Sequence, residues 1–288
     1  MRWKDGERGG NIEDRRGMRP GVAGGSIGIG GIAVVLIGYF VFGIDPSTLI
    51  GAMEQQGGGS YTQEAGTQGV PQDEGGQFVD VILTSTTNVW TQLFEKSNEA
   101  YRQPKPLVIY SQATGTQCGM GQSAMGPFYC PADERIYIDL DFFNELSSQF
   151  GAPGDFAKAY VIAHEVGHHV QKVLGTAKQV QDAQRSAGSK AEANRYSVAL
   201  ELQADCYSGV WAAHAGTVSG GRIAIERSDI EDGLRAANAI GDDTLQRQTQ
   251  GQVMPDSFTH GTSAQRVEWL QKGYDSGNPD ACDTFSAL

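Results

Sequence analysis

The stretch Asp155–Leu174, DFAKAYVIAHEVGHHVQKVL, is apolar around most of its circumference, so it reads as a helix buried on nearly every face. Such a helix tolerates polar side chains only where they find partners. This one carries His164, Glu165 and His168 near its centre. At 100° per residue the two histidines stand about 40° apart and one turn apart along the axis, so both imidazoles reach a single ion. Glu165 projects from a neighbouring azimuth, beside such an ion rather than onto it, where it can serve as a general base. Gly167 costs about 1 kcal/mol relative to Ala in a helix interior, which implies that another element packs closely there.

The H-E-x-x-H pattern points to a zinc peptidase, and catalytic zinc takes three protein ligands while keeping one position open. No histidine follows at the spacing of the extended three-histidine form, and the leading third ligand is Glu201, on a separate helix over 189–213. Asp205 lies one turn further along the same face, placed to accept the outer N–H of a ligand imidazole and fix its tautomer. Val198, Ala199, Leu200, Leu202 and Ala204 surround the two acids. A buried Glu/Asp pair of this kind needs a cation. The expected site is Zn²⁺ on His164, His168 and Glu201, with Glu165 as base. His169 and His214 read as packing or surface residues.

In this 288-residue chain 39% hydrophobic and 9% aromatic residues are enough for a real core, and the net charge of −12 argues against a nucleic-acid partner. Residues 1–20 nevertheless hold six Lys/Arg against four acids, and a charge-free run follows over 21–44. Its densest eighteen residues, 27–44, would span roughly 27 Å as a helix, near the thickness of a hydrocarbon core. The expectation is a single transmembrane helix over 21–44, with the basic residues 1–20 in the cytoplasm and the catalytic part extracytoplasmic, periplasmic or on the outer face. A cleaved signal peptide is the competing reading. Residues 45–77 are expected to be a flexible linker, rich in Gly, Gln and Glu over 51–77, and 78–288 the zinc metallopeptidase domain.

Helical periodicity predicts a helix from Phe78 to Gln103, with short strands over 107–110 and 136–140 and a helix over 141–150. Further helices are expected over 229–240 and 262–274, the last capped by Thr262 or Ser263, with a loop over 241–259. The strand over 136–140 is either an edge that could pair with an extended substrate or a core strand. Four cysteines allow three pairings, of which Cys118–Cys130 and Cys206–Cys282 are favoured over a zinc-thiolate site, since no C-x-x-C occurs. The fold class is α+β, a mostly helical zincin-like domain with a small sheet.

HEVGHH followed by ELQADC resembles the gluzincin arrangement of membrane-associated metallopeptidases related to the CAAX prenyl protease and the HtpX-type heat-shock protease. Together with CGMGQSAMGPFYCPADERIYIDL and HGTSAQR, nearly the whole chain resembles the YpfJ-like predicted neutral zinc metallopeptidases. The resemblance implies that His260 stabilises the oxyanion and that Arg266 orients site carboxylates, although Gly261 stands where the related H-P-x-x-x-x-R motif has proline. The resemblance is silent about substrate; the activity expected from the motif is hydrolysis of a peptide or protein substrate, by an endopeptidase rather than an exopeptidase. The alternative is a catalytically silent zinc-binding envelope protein that acts through its cleft.

Overall fold

The computed structural model describes residues 1–18, 66–286 and 288. Its strands are β1 (Ile12–Asp14), β2 (Thr67–Gln68), β3 (Leu107–Tyr110), β4 (Ala113–Thr116), β5 (Gly119–Gln122), β6 (Phe128–Cys130) and β7 (Arg135–Asp139). Its helices are α1 (Glu74–Lys96), α2 (Asp141–Ser148), α3 (Asp155–Leu174), α4 (Thr176–Ser186), α5 (Lys190–Val218), α6 (Arg227–Ala239), α7 (Asp242–Gln250) and α8 (Ser263–Ser276). The class is the expected one, α+β and mostly helical. Five strands form a mixed sheet in the order β2-β1-β3-β7-β6, and β4 and β5 make a separate hairpin.

Helix α5 is the hub, packed against α3, α8, α4 and α1. Its contact with α8 is backbone to backbone. A Cβ added at Gly273 would lie 1.9 Å from the carbonyl oxygen of Cys206, and one added at Gly209 would lie 2.2 Å from that of Leu270. The Cys206–Cys282 disulfide then ties α5 to the C-terminal tail, where Gln203 also donates to the Cys282 carbonyl at 3.1 Å. Cys118–Cys130 ties the turn between β4 and β5 to the end of β6. Both pairings are those favoured from the sequence.

Several element boundaries differ from expectation, for local reasons. Helix α1 starts before Phe78 because Asp73 caps it, accepting from the Gly76 N–H at 2.9 Å. It stops at Lys96, where the N–H groups of Ser97 and Asn98 turn back onto the carbonyls of Phe94 and Glu95. Strand β7 lies between β3 and β6, so the run over 136–140 is a core strand; β6 forms that edge of the sheet. The loop expected over 241–259 contains α7, a polar helix bracketed by Gly241 and Gly251 with no apolar face to announce it.

The larger difference is at the amino terminus. Folded structure was expected from Phe78, yet residues 1–18 belong to the same body: Trp3 and Ile12 are buried in the main core, and β1 pairs with β3 in parallel and with β2 antiparallel. The transmembrane helix expected over 21–44, and the linker as far as residue 65, lie outside the described residues. Among the described residues no helix is long and apolar enough to cross a membrane.

The glycine contacts give a sign test. Gly273→Ala, by wedging a methyl into the α5 backbone, should lower the unfolding midpoint, with an overpacking cost of about 1–3 kcal/mol or more. At Gly216, also in α5, an added Cβ would meet only the Ile223 carbonyl, at 3.6 Å. Gly216→Ala should therefore hold or raise the midpoint, by up to about 1 kcal/mol from helix propensity. Thermal denaturation of both variants checks the contrast; equal loss in both would refute the close helix contact.

Candidate metal centre

Gly175, in the left-handed conformation with φ 82°, ends α3, and α4 leads into α5, whose first turn is capped by Ser189. This αα arrangement lays α5 across the centre of α3. A Cβ at Gly167 would sit 3.1 Å from the Cα of Ala204, so the implied close packing partner is the Ala of ELQAD. With the helices this close, the acids on either side of Ala204 reach the histidines on either side of Gly167.

Glu201 spans both imidazoles: its Oε2 is 3.1 Å from His164 Nε2 and its Oε1 is 3.4 Å from His168 Nε2. Ligand atoms of His164, His168 and Glu201 all lie within 4.8 Å of one another, and among the described residues they form the group of three that could hold a metal ion. Tetrahedral zinc with bonds of about 2.0–2.1 Å separates neighbouring donors by roughly 3.4 Å. The observed Nε2–oxygen spacings match that value.

The outer ring nitrogens are equally determined. His164 Nδ1–H donates to Asp205 Oδ1 at 2.8 Å, leaving Nε2 free to ligate. His168 Nδ1–H donates to Gln171 Oε1 at 2.9 Å, and Gln171 Nε2–H in turn donates to the Leu200 carbonyl at 2.7 Å. Asp205 accepts from Tyr160 Oη–H at 2.6 Å and from Arg266 Nε–H and Nη2–H at 2.9 and 3.0 Å. Arg266 is thus where the motif resemblance puts it, on a site carboxylate. Sequence reasoning missed Tyr160 and Gln171; their positions four before His164 and three after His168 on one helix were the available signal.

Burial works against charge on every one of these groups, and their neighbours decide the outcome. The Asp205 and Glu201 carboxylates overcome burial to lift the His164 imidazole to about 10. Despite burial, His168 and His164 hold Glu201 well below the usual carboxylate range, and Arg266 and His164 hold Asp205 at about 2. Of the two carboxylates that stabilise protons on the rings, Glu201 is the one a divalent cation would engage in their place. Glu165 is outside this set of hydrogen bonds, and burial raises its carboxyl.

His260 is half-exposed on the loop before α8 and close enough to Glu201 for each to feel the other's charge. Asp242, at the start of α7, organises that loop: its Oδ2 accepts the N–H groups of Thr259, His260 and Gly261 at 2.7, 2.7 and 3.1 Å. Its Oδ1 lies 3.2 Å from His260 Nδ1. Gly261 has φ 92°, a conformation the proline ring forbids, so this chain's departure from H-P-x-x-x-x-R is built into its backbone. Thr262 caps α8. Asp242 went unrecognised because nothing in DDTLQRQTQ marks it. His169 holds its ring between Tyr129 Oη (3.0 Å to Nδ1) and the Arg102 carbonyl (2.7 Å to Nε2). Burial presses it down to about 4, so it is a neutral packing group. His214 donates to the Gly277 carbonyl at 2.7 Å.

A buried H-E-x-x-H helix is crossed by a second helix that supplies Glu and Asp through E-x-x-A-D, a donor set that suits one divalent ion. The chain belongs to the family described as "Putative neutral zinc metallopeptidase", whose profile matches residues 1–285. It is 48% identical to the "Uncharacterized protein YpfJ" of Escherichia coli (strain K12), over 99% of both chains. It is 44% identical to the "Uncharacterized protein Rv2575" of Mycobacterium tuberculosis (strain ATCC 25618 / H37Rv), over 73% of this chain and 72% of that protein. No solved structure matches the chain.

The geometry separates a ligand from its support. Asp205→Asn should weaken zinc binding by about 10–100-fold, as for other partners of ligand imidazoles, and Glu201→Ala should weaken it further. Competition with a chromogenic chelator measures both; a larger loss in Asp205→Asn would refute the assignment.

Proposed function

We propose that this protein is a zinc-dependent peptidase that cleaves peptide bonds with His164, His168 and Glu201 as ligands and Glu165 as general base. The observation carrying this reading is that one buried helix turn presents Glu165 beside a three-donor cluster without using it as a member. A purely structural zinc site fills its fourth position with another ligand and has no use for a base. Zinc, when bound, supplies Lewis acidity toward the scissile carbonyl and makes coordinated water acidic enough to attack near neutral pH.

The residues do the rest. Glu165 takes a proton from the attacking water as the new C–O bond forms, then delivers it to the leaving amine as the C–N bond breaks. His260, held by Asp242, donates toward the carbonyl oxygen as negative charge develops there. Asp205, Tyr160 and Arg266 keep the His164 ring in the orientation that presents Nε2. An endopeptidase reading is supported by β6: among the described residues it pairs on one side only, with β7, and its Tyr129 touches His169 of the metal helix, so an extended substrate segment could add to it as a further strand.

Glu165→Gln in the full-length protein separates this reading from that of a silent zinc-binding module. Zinc content should be unchanged, while cleavage of a diverse peptide library falls by about 10²–10⁴-fold, the usual contribution of a positioned base. Indistinguishable cleavage by variant and wild type would sink the proposal.

A further inference from the structure

We propose that residues 1–18 are a built-in strap of the metal-site domain, so that the amino terminus and the domain lie on the same side of any membrane. This replaces the topology expected from the basic amino terminus and the charge-free run.

The strap is stitched along its whole length. The amino group of Met1 pairs with Asp229 of α6. Arg2 and Ala224 exchange backbone hydrogen bonds at 2.9 and 3.0 Å. Trp3 packs edge-on against Phe78, 5.0 Å between ring centres, and donates its indole N–H to Asp155 at the first turn of the metal helix, at 3.1 Å. The N–H groups of Gly9 and Gly10 go to Thr84 Oγ1 and Asp80 Oδ1 of α1, each at 2.9 Å. Next, β1 fills the sheet between β2 and β3. There the carboxylate of Glu13, 2% exposed, receives Arg15 Nε–H at 2.7 Å, the Gly66 N–H at 3.1 Å and the guanidinium of Arg135.

Pulling the strap away would open the core at Trp3 and Ile12 and turn β3 into a bare edge. It would also leave the buried Asp80 carboxylate without the Gly10 N–H. Three of the six basic residues are also paired within the domain: Lys4 with Glu74, Arg15 with Glu13, and Arg16 with Asp14 and Asp73. Charges used in this way are not free to mark a cytoplasmic flank.

Chain geometry does the rest. Asp14 of β1 is directly paired with Thr67 of β2, so both ends of segment 19–65 issue from neighbouring strands, about 4.8 Å apart. A membrane lying between the amino terminus and the domain would hold those strands roughly 30 Å apart. With the domain's two disulfides calling for an oxidising compartment, the amino terminus lies in that compartment too.

Two measurements on the full-length chain test the strap. A Cβ added at Gly9 would be 3.7 Å from the Cβ of Thr84, within the span of about 3.5–4.5 Å that a disulfide bridges. All four native cysteines are paired. The double variant Gly9→Cys/Thr84→Cys, purified and mildly oxidised, should therefore yield a within-chain cross-linked peptide in mass spectrometry. No link, or a link only between two chains, would overturn the proposal. In parallel, Glu7→Cys and Gln179→Cys, both exposed positions, are labelled singly in spheroplasts with a membrane-impermeant maleimide before and after lysis. Equal before-to-after ratios at the two positions are expected; labelling from opposite sides would overturn it.

Discussion

Where α3 crosses α5, a side-chain carbon at Gly167 would meet Ala204 at 3.1–3.2 Å from its Cα, Cβ and carbonyl oxygen. The helices are in close backbone contact there, and the metal site is a consequence of that nearness. A bulkier pair would hold Glu201 away from His164 and His168, and a gap of an ångström is enough to lose a tetrahedral ligand set. The same economy recurs between α5 and α8 at Gly209 and Gly273, which carries Arg266 onto Asp205. Four small residues thus set the positions of Glu201, His164, His168, Asp205 and Arg266.

Asp205 is the electrostatic centre of this arrangement. It is fully buried and accepts hydrogen bonds from His164, Tyr160 and Arg266, which come from α3 and α8. Buried ion pairs seldom stabilise a fold by themselves, because desolvation offsets most of the Coulomb attraction. What this one provides is direction: with Arg266 neutralising it and Tyr160 and His164 both on Oδ1, Asp205 has one geometry, and the His164 ring inherits it. Cys206, the next residue, is bonded to the C-terminal tail, so the segment bearing the acid is also covalently braced.

Much of the centre was legible because its signals are local or periodic. His164, Glu165 and His168 declare themselves by helical spacing, Glu201 and Asp205 by being acidic among Val198, Leu202 and Ala204, and Gly167 by being costly where it stands. The misses share the opposite property. β1 is three residues long, polar in two of them, and paired with partners at 67–68 and 107–109; no window of sequence contains its reason to be a strand. Asp242 works through three backbone N–H groups of a loop seventeen residues away, so its side chain looks like any helix-capping acid. Tyr160 and Gln171 were visible as members of α3 but not as hydrogen-bond partners, since that depends on where α5 lies.

The fold as a whole therefore has two dependencies on distant chain: the metal helix needs α5 at its middle and the amino-terminal strap at its first turn. The ligand set is the claim on which the functional account stands, and X-ray absorption at the zinc edge of the loaded full-length protein reads it directly. The account predicts two imidazole nitrogens and carboxylate oxygen at about 2.0–2.2 Å with no sulfur, and loss of the protein-oxygen contribution in Glu201→Ala. Sulfur in the first shell, or a spectrum unaltered by that substitution, would contradict it.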